Sequence, residues 1–288
     1  MRVRTTSTSR TYRYVRVGIV GAVLLLIVGV VTGAIIAGPV TSLSAAYYTP
    51  ARDLFVGAIF AVAAALIALS GRSLEQALLD NAAILAVVIA VVPTPVGPGD
   101  APGSAAVCPT AATCVPEEYV PTVATGVISL VIVGVLGLVA ALALARVQAT
   151  MTHGFRVALG AAATLVIGTG LWFALAPAGF LAYAHVTATV AFFALIAAVA
   201  AIDAVAPTRG RRGGGIRGLY LVVAGGIVVT IAVLVVVLTL RLAGIDLAAD
   251  WGVPIVLWGE ILALVLFGVF WVTQTVELWH DPDPRFRS

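Results

Sequence analysis

Glu260, His185, Asp53 and Asp80 are ionisable residues set in or at the edge of long apolar runs. An ionisable side chain in hydrocarbon costs several kcal/mol unless it is paired or hydrated, so each is a candidate for binding, proton transfer or ion coupling. Glu260 shares a helical stripe with Leu264, Phe267, Trp271 and Gln274, and His185 shares one with Thr189, Phe192, Ile196, Val199 and Asp203. Arg52 and Asp53 follow closely on Ser42, Ser44, Tyr47 and Tyr48. Arg72, Gln76 and Asp80 recur at spacings of four on one helix face, with Asn81 beside them.

Two candidate groups follow. The first is a polar pocket of Ser44, Tyr48, Arg52, Asp53, His185 and Glu260, expected in the outer half of the membrane and opening outward. The second is an inner polar cluster of Arg72, Gln76, Asp80 and Asn81, in which an inner-end Arg pairs with Asp80. The pocket has two readings. Arg52 neutralises Asp53 or Glu260 while His185 bonds a carbonyl, so that the group only locks helices together. Alternatively, the group binds or transforms a ligand. No catalytic set is complete: the chain has no Gly-rich phosphate loop, nucleophile elbow or zinc-binding histidine pair, and no metal or cofactor is expected. His153 and His280 fall in segments between apolar runs and read as solvated.

The elements that must position these residues are transmembrane helices. Of the 288 residues 61% are hydrophobic and 10% charged, against the roughly 25% charged of a soluble domain. A helix needs about 20 apolar residues to cross a bilayer. Eight segments meet or approach that length: Val17 to Ala37, Leu54 to Ser70, Leu74 to Val92, Val123 to Leu144, Val157 to Ala176, Phe180 to Val205, Ile216 to Leu242 and Val253 to Thr275. All sixteen cationic residues are Arg, which reads as the codon bias of a prokaryote with a GC-rich genome. With the N-terminus inside, fourteen of them fall on the inner side and only Arg52 and Arg241 on the outer. That bias orients both termini toward the cytoplasm of a multi-pass plasma-membrane protein. It also assigns the charge to topology, which argues against a nucleic-acid partner.

The expected organisation is a basic cytoplasmic N-terminus (1–16), a single all-α transmembrane bundle (17–276) and a cytoplasmic tail (277–288). The first apolar run is too long for a cleaved signal segment and is expected to remain as a helix. An outer loop (93–121) holds Cys108 and Cys114, expected as a local disulfide on the oxidising side. An inner linker (207–215) carries Arg209, Arg211 and Arg212 and is expected to meet anionic lipid headgroups. Gly29 and Gly33, four apart, permit close helix packing.

The stretch Ser44-Ala45-Ala46-Tyr47-Tyr48-Thr49-Pro50-Ala51-Arg52-Asp53-Leu54-Phe55-Val56-Gly57 resembles domain of unknown function family 998, a family of uncharacterised prokaryotic membrane proteins. Asp80 through Pro93-Thr94, and His185 with Ala188, Phe192 and Phe193, fit the same resemblance, which covers about a fifth of the chain. The family is similar in layout to the alkaline ceramidase-like membrane hydrolases. That likeness implies a metal held by several histidines with a Ser and an Asp nearby. This chain departs from the pattern, with one intramembrane histidine and no pair four apart.

Three functions remain in competition. The favoured one is a non-catalytic bundle that binds membrane lipid or a partner. The others are a metal-dependent membrane hydrolase and an ion- or proton-coupled transporter with Glu260 or Asp80 as the titrating carboxylate.

Overall fold

The computed structural model describes residues 7–69, 73–97, 99–101, 108, 113–205, 214–245, 247 and 253–279. Among these, eight long helices run antiparallel in succession. They are α1 (Ser7–Ala37), α2 (Arg52–Ala68), α3 (Leu74–Val91), α4 (Val120–Val147), α5 (His153–Leu175), α6 (Pro177–Val205), α7 (Gly214–Leu242) and α8 (Ile255–Glu277). Seven are long and apolar enough to cross a membrane. The exception, α2, has 17 residues and extends about 26 Å against roughly 30 Å of hydrocarbon. The protein is an all-α polytopic membrane bundle.

Helix ends follow local chemistry. Ser73 and Gln76 form a reciprocal capping box at the start of α3, and the Thr152 hydroxyl accepts the Phe155 N–H at the start of α5. Ala176 alone joins α5 to α6, because the residue before Pro177 is driven out of helical geometry. The sequence places the first span from Val17, but α1 begins ten residues earlier, at Ser7. Its polar start continues the helix past the apolar stretch, a boundary that hydropathy does not register.

Six helices close into a ring in the order α1, α2, α3, α6, α7, α8 and back to α1, while α4 and α5 form a hairpin packed outside it against α3 and α6. The helices of the ring hold most of the apolar core, with Ile196, Phe267, Phe270 and Trp271 fully buried. The hairpin instead turns broad apolar surfaces outward, as at Val133 and Leu136, which are 67% and 63% exposed. Such a surface is stable in lipid and unstable in water.

The end of the bundle that carries the cysteines is closed by loops. Gly38, at φ 107°, ends α1 in a left-handed conformation and reverses the chain over the ring. A buried 3₁₀ turn, Ser44–Tyr48, follows and leads into α2. The loop after α3 lies against it: Thr41 Oγ1 donates to Asp100 Oδ1 at 2.9 Å, and Tyr48 Oη donates to the Thr94 carbonyl at 2.8 Å. Cys108 and Cys114 are joined within that loop, with Cα atoms 5.9 Å apart.

Candidate functional site

Three chemistry-bearing side chains, distant in sequence, meet beneath this cap. Ser44 Oγ lies 2.7 Å from Glu260 Oε1 and 2.9 Å from His185 Nε2. His185 Nδ1 lies 2.6 Å from the Val92 carbonyl oxygen. Glu260 Oε2 accepts the Leu43 N–H. The group is assembled from the turn after α1, the end of α3, the third turn of α6 and the second turn of α8. Each piece has a local reason. Val92 is the first residue past α3, so its carbonyl has no helical partner and is free to accept. Pro93 enforces that ending. Ser42 Oγ accepts the Ala45 N–H at 3.0 Å and fixes the turn that presents Ser44.

A cavity of about 90 Å³ opens beside Ser44 and Glu260. Its walls come from α1, α2, α3, α6 and α8, and apart from Ser44, Glu260 and Thr189 they are apolar. Along α8 it is bounded by Glu260, Leu264 and Phe267. It therefore runs about 10 Å from the polar end toward the middle of the bundle. The space is far above the roughly 10–15 Å³ that one water needs and below the roughly 300 Å³ of drug-sized sites.

The other residues expected in this pocket lie elsewhere. Tyr48 is buried and engaged with Thr94 and with Tyr119, whose ring centroid is 4.9 Å away. Burial pushes its phenol up from the ordinary value, helped by the neighbouring Tyr47 and Tyr119 and opposed by Arg52. Arg52 does not neutralise Asp53 or Glu260. Its guanidinium lies 4.4 Å over the Tyr47 ring and 5.5 Å from Tyr119, and it donates to Tyr47 Oη at 2.9 Å. The planar cation is held by two aromatic rings and a phenol oxygen. Asp53 is exposed in the first turn of α2, where a negative charge suits the helix N-terminus.

Of the inner cluster, Gln76, Asp80 and Asn81 are described. Gln76 serves the α3 capping box. Asn81 is buried and donates to the Ala77 carbonyl at 2.8 Å, beside a half-buried Asp80. Arg72, His280 and the arginines of the 207–213 segment lie outside the described residues. At that end α6 and α8 are joined by a contact the sequence did not reveal: Gln274 Nε2 donates to Asp203 Oδ2 at 3.0 Å, and Asp203 is fully buried. Tyr220 Oη on α7 donates to Glu277 Oε2 on α8 at 2.8 Å.

Also missed were Val92, Leu43, Tyr47 and Tyr119 as partners. The Val92-Pro93 step was the one available signal, since it marks a helix end whose last carbonyl is unpaired. Among the described residues no three His, Cys, Asp or Glu side chains gather as a metal-ligand group. Comparisons with protein-family models, with curated proteins and with solved structures find no match to this chain.

Proposed function

We propose that this protein is a plasma-membrane bundle that binds a single-chain amphiphile. The head engages Ser44 and Glu260, and the upper part of the chain lies along Leu264, Phe192 and Phe267. The observation that carries this reading is the cavity's asymmetry: one hydrogen-bonding end at the capped face and apolar walls leading inward. A head-and-tail molecule fits both, since a polar solute would leave the walls unsolvated and a hydrocarbon would make no use of the acceptor capacity that Ser44 and Glu260 turn to the cavity. The volume suits part of a chain, with the remainder in the surrounding bilayer. The resemblance to domain of unknown function family 998 belongs to the same proposal, on the residues around Ser44 and Arg52.

Native mass spectrometry of protein extracted in mild detergent tests it. The expected result is a bound amphiphile on the parent protein and its loss in Leu264→Trp, which fills the cavity. Identical occupancy in both, or none in either, overturns the reading.

The Ser44–His185 contact favours acyl hydrolysis as a second reading, because a hydroxyl within 2.9 Å of an imidazole is the arrangement of a nucleophile and its base. Against it, Glu260 holds the Leu43 N–H and Ser42 holds the Ala45 N–H, the backbone donors on either side of Ser44 that an oxyanion would need. Covalent labelling of Ser44 by a fluorophosphonate would establish the hydrolase; a metal-dependent version would in addition carry stoichiometric zinc.

Eight spans with both termini inside form part of the proposal and rest on the arginine distribution.

A further inference from the structure

The hydrogen-bond geometry of the Ser44 group fixes how many protons it holds, whatever occupies the cavity. A carbonyl only accepts, so the contact between His185 Nδ1 and Val92 places a hydrogen on Nδ1. A backbone N–H only donates, so Glu260 Oε2 is an acceptor from Leu43. Two contacts remain, from Nε2 to Ser44 Oγ and from Oγ to Oε1, at 2.9 and 2.7 Å. Each needs one proton between its heavy atoms. The Ser44 hydroxyl supplies one, so the second is carried either by His185 Nε2 or by Glu260 Oε1.

From this count we infer that His185 and Glu260 form a buried proton-binding site that holds one proton as a unit, with Ser44 as the bridge through which it moves. In one form Nε2–H donates to Ser44 and the Ser44 hydroxyl donates to a Glu260 carboxylate. In the other Glu260 is a carboxylic acid that donates to Ser44, and the hydroxyl donates to a neutral imidazole. Moving from the first to the second breaks the Nε2–H bond and the Ser44 O–H bond. It forms a new O–H bond on Ser44 and one on Glu260, so the proton count is unchanged. Both forms have zero net charge, which the apolar surroundings require. Removing the proton leaves a carboxylate and a neutral ring, an uncompensated charge and one broken contact.

No other titratable side chain lines the cavity from α1, α2, α3, α6 or α8 among the described residues. At this end of the bundle Arg52 is held by Tyr47 and Tyr119, Tyr48 by Thr94, and Asp100 by Thr41 and Gly97. Asp53, Glu117, Glu118, Tyr183 and Arg241 lie on exposed or rim positions.

The test counts protons spectroscopically on the purified protein in lipid nanodiscs, without added ligand. Nitrogen NMR reads the His185 ring, identified by its loss in His185→Asn, and infrared absorption reads the Glu260 carboxyl, identified by its loss in Glu260→Gln. At neutral pH the expected state is imidazolium with carboxylate, neutral imidazole with carboxylic acid, or exchange between these two. Loss of the shared proton should remove the imidazolium signal from the first state and the carboxylic-acid signal from the second; where the forms exchange, both signals should change at one common pH midpoint, which Ser44→Ala should split into two. Neutral imidazole with carboxylate, imidazolium with carboxylic acid, separate midpoints in the parent, or a single midpoint that survives in Ser44→Ala would each overturn the inference. The parent measurement decides the proton count even if Ser44→Ala does not fold.

Discussion

Glu260 is satisfied by groups from a different part of the chain, and its replacements should separate charge from hydrogen bonding. Glu260→Leu strands the Leu43 N–H in an apolar setting and should cost about 2–4 kcal/mol. Glu260→Gln can still accept from Leu43 and donate to Ser44, as the carboxylic acid would, and should cost less than about 1 kcal/mol. Thermal unfolding in detergent reads the difference, and equal losses would contradict the assignment of roles. Tyr48 provides a pH test outside the membrane-spanning segments. An unfolded phenol titrates near 10, at about 1.4 kcal/mol per unit. The folded Tyr48 titrates higher, so the native state retains a proton that the unfolded chain has lost. Its contribution is complete below about pH 10 and declines above it. Tyr48→Phe should flatten that alkaline decline, measured as unfolding midpoint against pH.

The helices and loops that hold these residues depend on two close junctions. A Cβ on Gly33 would sit 2.8 Å from Ala51 Cβ, and one on Gly29 would sit 2.9 Å from Leu54 Cβ. The α1–α2 crossing thus relies on both glycines, and Ala51 lies three residues past the turn that presents Ser44. Gly33→Ala should destabilise by about 1–3 kcal/mol through overpacking, while Gly57→Ala, whose Cβ would meet nothing within 4 Å, should be neutral or slightly stabilising. Comparing the two unfolding midpoints separates contact from helix propensity. The Cys108–Cys114 link closes a small ring in the capping loop, and a double Cys→Ser variant should lose about 2 kcal/mol, seen as earlier unfolding in detergent.

For the whole molecule, the closed ring of six helices with an outer α4–α5 hairpin places the Ser44 group at the end that bears the cysteine loop. In the proposed orientation, with the arginines inside, that end faces out. Single-cysteine variants in a background lacking Cys108 and Cys114 should therefore react with an impermeant reagent in intact cells at position 100 and resist it at position 150. The reverse pattern would invert the topology. How these helices meet was only partly legible beforehand. Apolar run lengths alone determine an all-α membrane bundle, because a buried backbone in lipid must satisfy its own hydrogen bonds. Helical periodicity likewise identified the inward faces of α6 and α8, with His185 and Glu260 on them. The tertiary structure decided that Ser44 stands between those two, that Arg52 turns to Tyr47 and Tyr119, and that Asp53 stays at the rim. Those outcomes hinge on a reversal at Gly38 and on unpaired backbone groups at Leu43 and Val92. Such groups are present at every residue, and which of them becomes a partner is fixed only when the loops are laid over the ring.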